Sequence, residues 1–428
     1  MSTIKTPTLA RSEPLLEIPF TGYDFGWIVL CIGMAIGSGI VFMPVQVGLK
    51  GGWVFLTAIA LSYPAVYHLQ NLFLRTLMQS EVREDYAGAI SHYLGKNWGI
   101  ALAFVYFVML FGAIVTYATS ITYDSASYLQ TFHITDHALS DNGWYSLALI
   151  AVLVVISAQG ERLLFKVAGP MVAVKFTIIV AMAVVMVPHW NVQNILRPLD
   201  VGNFVRDVLT TLPFALFSIL YVQILNPMNI AYRKLESDPR VAAYRIVRAN
   251  RIAYAVLVVS VLFFAFSFAF TISQADAAYA LEHNISALAI VAKVMPGAWV
   301  KAMSVMLDIF AIVSAFFGIY LGFNEAVRGI VLNMSARFVR TEYLNKSAVD
   351  VGVTCAIVLM LWVWVSANFS TMLILQLTGP TYGITTCLVP SYLAWRVPSL
   401  RNLRGGAVYF VFLYGLLLMV SPLFRLFE

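Results

Sequence analysis

Two ionisable residues stand where the sequence gives them little water. Lys175 is about ten residues into an apolar run at 164–188, and Asp308 about ten residues into a run at 298–331. At about 1.5 Å per helical residue, each falls near the middle of its run. A buried amine or carboxyl can exchange a proton during a working cycle, and it can also serve as one half of a structural ion pair. Two other stretches offer peptide groups instead of side chains. Ala35-Ile36-Gly37-Ser38-Gly39-Ile40 interrupts the first apolar run, and Pro213 and Pro227 flank Phe217-Ser218-Ile219-Leu220-Tyr221-Val222-Gln223. Gly-Ser-Gly makes poor helix and permits close backbone approach. A second half-helix starting there would present N–H groups and the positive end of its dipole to an anion such as a carboxylate. The other reading of Gly-Ser-Gly is a tight contact between packed helices.

The elements that must carry these groups are apolar. Of 428 residues, 61% are hydrophobic and 11% charged, and the mean hydropathy is +0.83. A soluble chain carries roughly 25% charged residues, so this one cannot coat a water-facing surface. Disordered, nucleic-acid-scaffold and disulfide-framework classes are excluded. Cys31, Cys355 and Cys387 lie inside apolar runs with no CxxC or Cys/His spacing, and read as small buried hydrophobes with neither disulfide nor metal site. The net charge of +6 reads as Lys and Arg held in cytoplasmic loops.

Eleven runs suit membrane crossings, at about 26–49, 53–78, 98–130, 144–159, 164–188, 204–232, 250–273, 298–331, 349–366, 369–395 and 407–427. The fourth and ninth are short; the third and eighth are long enough to tilt or project. Residues 1–24 are polar and mixed in charge, which reads as a cytoplasmic tail and not a cleaved leader. Twenty of the 27 Lys and Arg fall in loops on the side of that tail and six on the other, with Lys175 inside a span. The expectation is a cytoplasmic N-terminus and an outside C-terminus. The basic stretch Arg233 to Arg251 reads as a topology signal that touches anionic lipid heads.

The interrupted spans are the first and the sixth, five apart. Two repeats of five spans each are inverted with respect to one another, and paired breaks in such halves point to a transporter site at the bilayer midplane. The expected organisation is a core at 25–396, with repeats at about 25–190 and 203–396, followed by a loop and an eleventh helix at 397–428.

Ala35-Ile36-Gly37-Ser38-Gly39-Ile40-Val41-Phe42-Met43-Pro44 resembles the first-span signature of the hydroxy and aromatic amino acid permeases, within the amino acid–polyamine–organocation superfamily. Pro188-His189-Trp190-Asn191, Asn284-Ile285-Ser286 and Gly318-Ile319-Tyr320-Leu321-Gly322 with Glu325 resemble its serine/threonine branch, and Leu377-Thr378-Gly379-Pro380 matches in part. The resemblance implies an all-α five-plus-five inverted-repeat fold with discontinuous helices 1 and 6, and amino acid uptake across the inner (plasma) membrane driven by a proton or sodium gradient. It implies that the substrate carboxylate meets the amides of Gly37, Ser38 and Gly39. The ammonium would meet carbonyls near Ala35 and Ile36 and at Phe217 and Ser218. The branch tends to carry a lysine in span 8 where this chain has Ser314; here the lysine is Lys175 in span 5. The expectation is that the Lys175 ammonium occupies the place where related sodium-coupled carriers hold a cation, with Asp308 as partner or relay. A structural ion pair or a snorkelling lysine is the alternative.

The branch also tends to have a polar Asn/His/Ser run in span 6. Here Leu220-Tyr221-Val222-Gln223 makes the pocket more apolar, with one phenol and one amide, which leaves room for an aromatic substrate beside a small polar one. Tyr106, Tyr117 and Tyr123 either line the pathway or pack. The whole reads as a secondary carrier, proton-coupled before sodium-coupled, with no cofactor and no nucleic-acid partner. An enzyme is disfavoured because no HExxH, Walker A or nucleophile-elbow pattern occurs. A sensor that binds an amino acid without moving it is the main rival.

Overall fold

A computed structural model of the chain describes residues 18–79, 93–159, 161–195, 200–335 and 346–425. Among these, every regular element is a helix. Span 1 is two helices, α1 (Gly22–Ala35) and α2 (Ser38–Lys50), bent by 43° at their junction. There follow α3 (Gly52–Met78), α4 (Lys96–Thr131), α5 (Gly143–Ser157) and α6 (Glu161–Met186). Span 6 is α7 (Phe204–Phe217) and α8 (Val222–Leu235), and span 7 is α9 (Pro239–Thr271). Two short helices, α10 (Gln274–Glu282) and α11 (Ala287–Val294), precede α12 (Ala298–Ser335) and α13 (Lys346–Ser366). Span 10 runs through α14 (Thr371–Tyr382), a π-helical segment (Gly383–Leu388) and α15 (Val389–Arg396), and α16 (Gly406–Arg425) ends the described chain.

Among the described residues, nine stretches are long and apolar enough to cross a membrane, and the bent α1–α2 pair makes a tenth. The remaining expected crossing, the fourth, is α5, an apolar helix of 15 residues, short of the roughly 20 that a full crossing needs. The long α4 and α12 pack along one another, α14 lies on α4, and α12 reaches α6. The broken helices sit inside: α1 packs on α6 and α9, α2 on α7, and α7 on α3 and α14.

Local chemistry sets the helix ends. Thr21 and Asp24 form a capping box at the start of α1. Gly51, with φ of 89°, lets the chain turn from α2 into α3 in a region closed to most side chains. Ser273 and Asp276 box the start of α10, and the Ser286 hydroxyl caps α11. Both helices lie between the apolar runs 250–273 and 298–331.

One polar network ties three spans together at the α1 N-terminus. Arg245 on α9 donates to both oxygens of Asp24 at 3.0 Å, Tyr232 on α8 donates to Asp24 at 2.7 Å, and Arg248 reaches it at 3.2 Å. Arg245 also pairs with Glu236. The Asp24 side chain is fully buried and that of Arg245 is 9% exposed. Arg245 is therefore an interior clamp, which corrects the expectation that this basic stretch serves only topology and lipid contact. Breaking one partner of a buried pair costs about 3–5 kcal/mol, against about 0–1 for a surface pair. Asp24→Ala should lower the unfolding temperature of the detergent-purified protein. Asp350→Ala, which breaks the exposed pair with Arg328, should leave it near wild type. Equal midpoints would deny the clamp.

Candidate binding site at the two helix breaks

Gly39 decides how the two breaks meet. A methyl group on its Cα would lie 2.1 Å from the Phe217 carbonyl carbon, 2.2 Å from its oxygen and 2.3 Å from the Ser218 nitrogen. Only a hydrogen fits, so the start of α2 rests on the peptide that ends α7. Helix α1 gives out at Ile36 (φ −76°, ψ 84°), and Gly37 caps α2 without a side chain. The first N–H groups of α2 have no intrahelical acceptor, and the helix dipole is positive there. The Ser38 side chain lies outside the described residues.

The unwound part of span 6 is held by neighbours, as a helix break at membrane depth requires. The Ser218 hydroxyl meets Tyr63 Oη at 3.2 Å and donates to the Ala215 carbonyl at 2.8 Å. The Tyr221 N–H donates to Gln70 Oε1 at 3.3 Å, and the Tyr221 hydroxyl donates to Asn250 Oδ1 at 2.9 Å. The Ser218 and Tyr221 side chains therefore face α3 and α9. Both side chains are engaged in fixing the break.

A cavity of about 30 Å³ lies beside the breaks, walled by Met34, Tyr117, Phe217, Gln223, Thr378 and Tyr382, among others. That is room for about two waters, so an amino acid enters only if the walls move. The Tyr382 ring stands edge-on to Phe217 at 4.8 Å, and its hydroxyl accepts from Gln223 Nε2 at 2.8 Å. Gln223 Oε1 is buried with no partner among the described groups. The Tyr117 hydroxyl stands over Gly37, 2.5 Å from where a Cβ would be. Tyr123 bonds Asn368 at 2.5 Å, away from the cavity. Tyr382 escaped the sequence reading; it stands immediately before the π-helical stretch that follows Pro380.

Lys175 is fully buried. Its ammonium donates to the Gly33 carbonyl at 2.8 Å, the Ile36 carbonyl at 3.2 Å and Ser314 Oγ at 2.8 Å. The Lys175 amine thus sits at the C-terminal end of α1, where the negative end of the dipole favours its charged form, and bridges α1, α6 and α12. Asp308 is not its partner. Asp308 Oδ2 accepts from Tyr128 at 2.9 Å, and a further buried carboxyl, Asp124, accepts from the Ser286 N–H at 2.8 Å. The sequence reading missed Asp124, one acidic residue near the end of a long apolar helix. Among the described residues no group of three or more His, Cys, Asp or Glu is placed to hold a metal.

Gly39→Ala tests the contact between breaks. Overpacking a close-packed site costs about 1–3 kcal/mol, so substrate affinity should fall about 5- to 150-fold. Gly352→Ala, where a Cβ meets nothing within 4 Å, should bind as wild type. Equal binding by both variants would show that the breaks need not touch.

No protein-family model matches the chain. It is 45% identical over 417 residues to a probable serine transporter of Escherichia coli (strain K12), covering 97% of this chain and 94% of that protein. It is 24% identical over 439 residues to the serine transporter SdaC of the same strain, across the full length of both. It is 25% identical over 429 residues to the threonine/serine transporter TdcC of Edwardsiella tarda, covering 94% and 95%. The chain thus belongs to the serine/threonine branch of the hydroxy amino acid permeases, and is a multi-pass membrane protein that works as a secondary amino acid transporter and not as an enzyme.

Proposed function

We propose that the protein carries a small hydroxy amino acid, serine foremost, across the inner membrane by alternating access, coupled to protons through Lys175. The observation that carries this reading is the backbone contact at Gly39, which sets the start of α2 and the end of α7 side by side next to the cavity. A zwitterion fits such a place. Its carboxylate meets the N–H groups of Ser38 and Gly39, and that of Gly37 once it leaves the Ala35 carbonyl it holds at 2.9 Å, and its ammonium meets carbonyls near Ala35, Ile36, Phe217 and Ser218. Gln223 Oε1 is left to accept from a side-chain hydroxyl. The names of the relatives support serine.

Coupling follows from what Lys175 holds. Charged, it fastens the end of α1 to Ser314 on α12; neutral, it loses most of its attraction for the α1 dipole. Loss of the proton then frees the junction where the carboxylate sits. The chain would lie with its N-terminus in the cytoplasm and its C-terminus outside, its core built of inverted halves at about 25–190 and 203–396.

Proteoliposomes test both parts. Wild type should show counterflow of labelled serine, competed by threonine and not by tryptophan; a protein that binds serine without counterflow would be a sensor. Lys175→Met leaves the Gly33 and Ile36 carbonyls without a donor, at about 1–3 kcal/mol each, so folding must be read separately. The expected outcome is retained counterflow with loss of accumulation against a gradient when the interior is made alkaline. Accumulation at the wild-type level in that variant would remove Lys175 from coupling, and a sodium requirement would replace the proton.

A further inference from the structure

Asp124 on α4 and Asp308 on α12 are both fully buried, and Tyr128, one helical turn beyond Asp124, donates to Asp308, which makes the two carboxyls neighbours on the α4–α12 seam. Each has one oxygen engaged. Asp124 Oδ1 accepts from the Ser286 N–H at 2.8 Å, and Asp308 Oδ2 accepts from the Tyr128 hydroxyl at 2.9 Å. The remaining oxygens, Asp124 Oδ2 and Asp308 Oδ1, are buried and have no donor. Two ionised carboxylates only accept, so neighbouring carboxylates cannot satisfy one another's oxygens.

The surroundings supply no counter-charge. Tyr128 is neutral and already donates to Asp308. Ser286 offers its N–H to Asp124, and its hydroxyl, which accepts from the Ala289 N–H at 3.1 Å, keeps its proton for Asp124 as well; both donors are neutral. Lys293 on α11 is turned to Tyr279, Tyr145 on α5 to Ser125, and Lys175 on α6 to Gly33, Ile36 and Ser314. Among the described residues, no Lys, Arg or His is bonded or ion-paired to either carboxyl. Adjacent like charges out of water are strongly disfavoured, and a single proton between them removes one charge and provides the missing donor.

We infer that Asp124 and Asp308 form a proton-binding site in which one proton is shared between Asp124 Oδ2 and Asp308 Oδ1. It is a second titratable site, apart from Lys175, and it joins α4 to α12. With the proton present the two helices are fastened by a carboxyl–carboxylate hydrogen bond. Without it two buried carboxylates repel across the seam. The site is a property of the pair and titrates as a pair. It does not depend on the coupling role given to Lys175.

Infrared spectroscopy of the purified full-length protein reads it directly. Wild type at neutral pH should show the carbonyl stretch of a protonated carboxylic acid, shifted in heavy water. Asp124→Asn and Asp308→Asn keep the shape and provide a permanent amide donor to the surviving carboxylate. Each single variant should lose the band, and so should the double variant. Lys175→Met should keep it. The stability profile gives an independent reading. The wild-type unfolding temperature should fall in alkaline solution, because removal of the shared proton sets two buried carboxylates against one another. That fall should be absent from both Asn variants. The proposal is overturned if wild type lacks the band, if the double variant keeps it, or if one single variant keeps it, since the proton then belongs to one carboxyl alone. Loss of the wild-type band on adding sodium at constant pH would make the pair a cation site instead.

Discussion

The structure depends on one contact between two pieces of backbone. Gly39, at the start of α2, lies against the Phe217–Ser218 peptide at the end of α7 with no space for a methyl group. Peptide groups inside a bilayer must be satisfied within the protein, and this chain does so with side chains brought in from elsewhere. Gln70 and Tyr63 from α3 and Asn250 from α9 hold the span 6 break. Lys175 from α6 holds the carbonyls at the end of α1. What those side chains leave unsatisfied is the start of α2, which is where a carboxylate is best received.

The same accounting separates positioning groups from binding groups. Tyr221 and Ser218 are deep in the membrane and polar, but each is already spent. Gln223 lies two residues beyond Tyr221 and retains a free carbonyl oxygen beside the cavity. Remote interactions then bear on the breaks through their helices. The Asp24–Arg245–Tyr232 clamp holds the far ends of α1 and α8 to α9, and the Asp124–Asp308 pair joins α4 to α12, the helix that also carries Ser314. Both bear on rigid rods that end at or pass the breaks.

Much of this was legible in the sequence because membrane helices announce themselves. Long apolar runs gave the spans, Gly37-Ser38-Gly39 and the Pro213/Pro227 pair gave the breaks, and the isolation of Lys175 marked it. Periodicity could not show which way a residue faces, so Tyr221 looked like a ligand-binding phenol when it is a strut to Asn250. Pairing across 184 residues of sequence is invisible without a fold, which is why Asp308 was set beside Lys175 and Asp124 was overlooked. Helices α10 and α11 were passed over because nine and eight residues are too few for a periodic signal. Their caps, Ser273-x-x-Asp276 and Ser286, were readable and would have found them.

The central claim is that an amino acid is gripped by naked peptide groups where α2 and α7 touch. An experimental density map of the protein with serine bound tests it most directly. The account predicts density for the carboxylate against the backbone of Gly37 to Gly39, with Gly39 still seated on the Phe217–Ser218 peptide. Serine found at another site, or α1–α2 and α7–α8 running as unbroken rods, would contradict it.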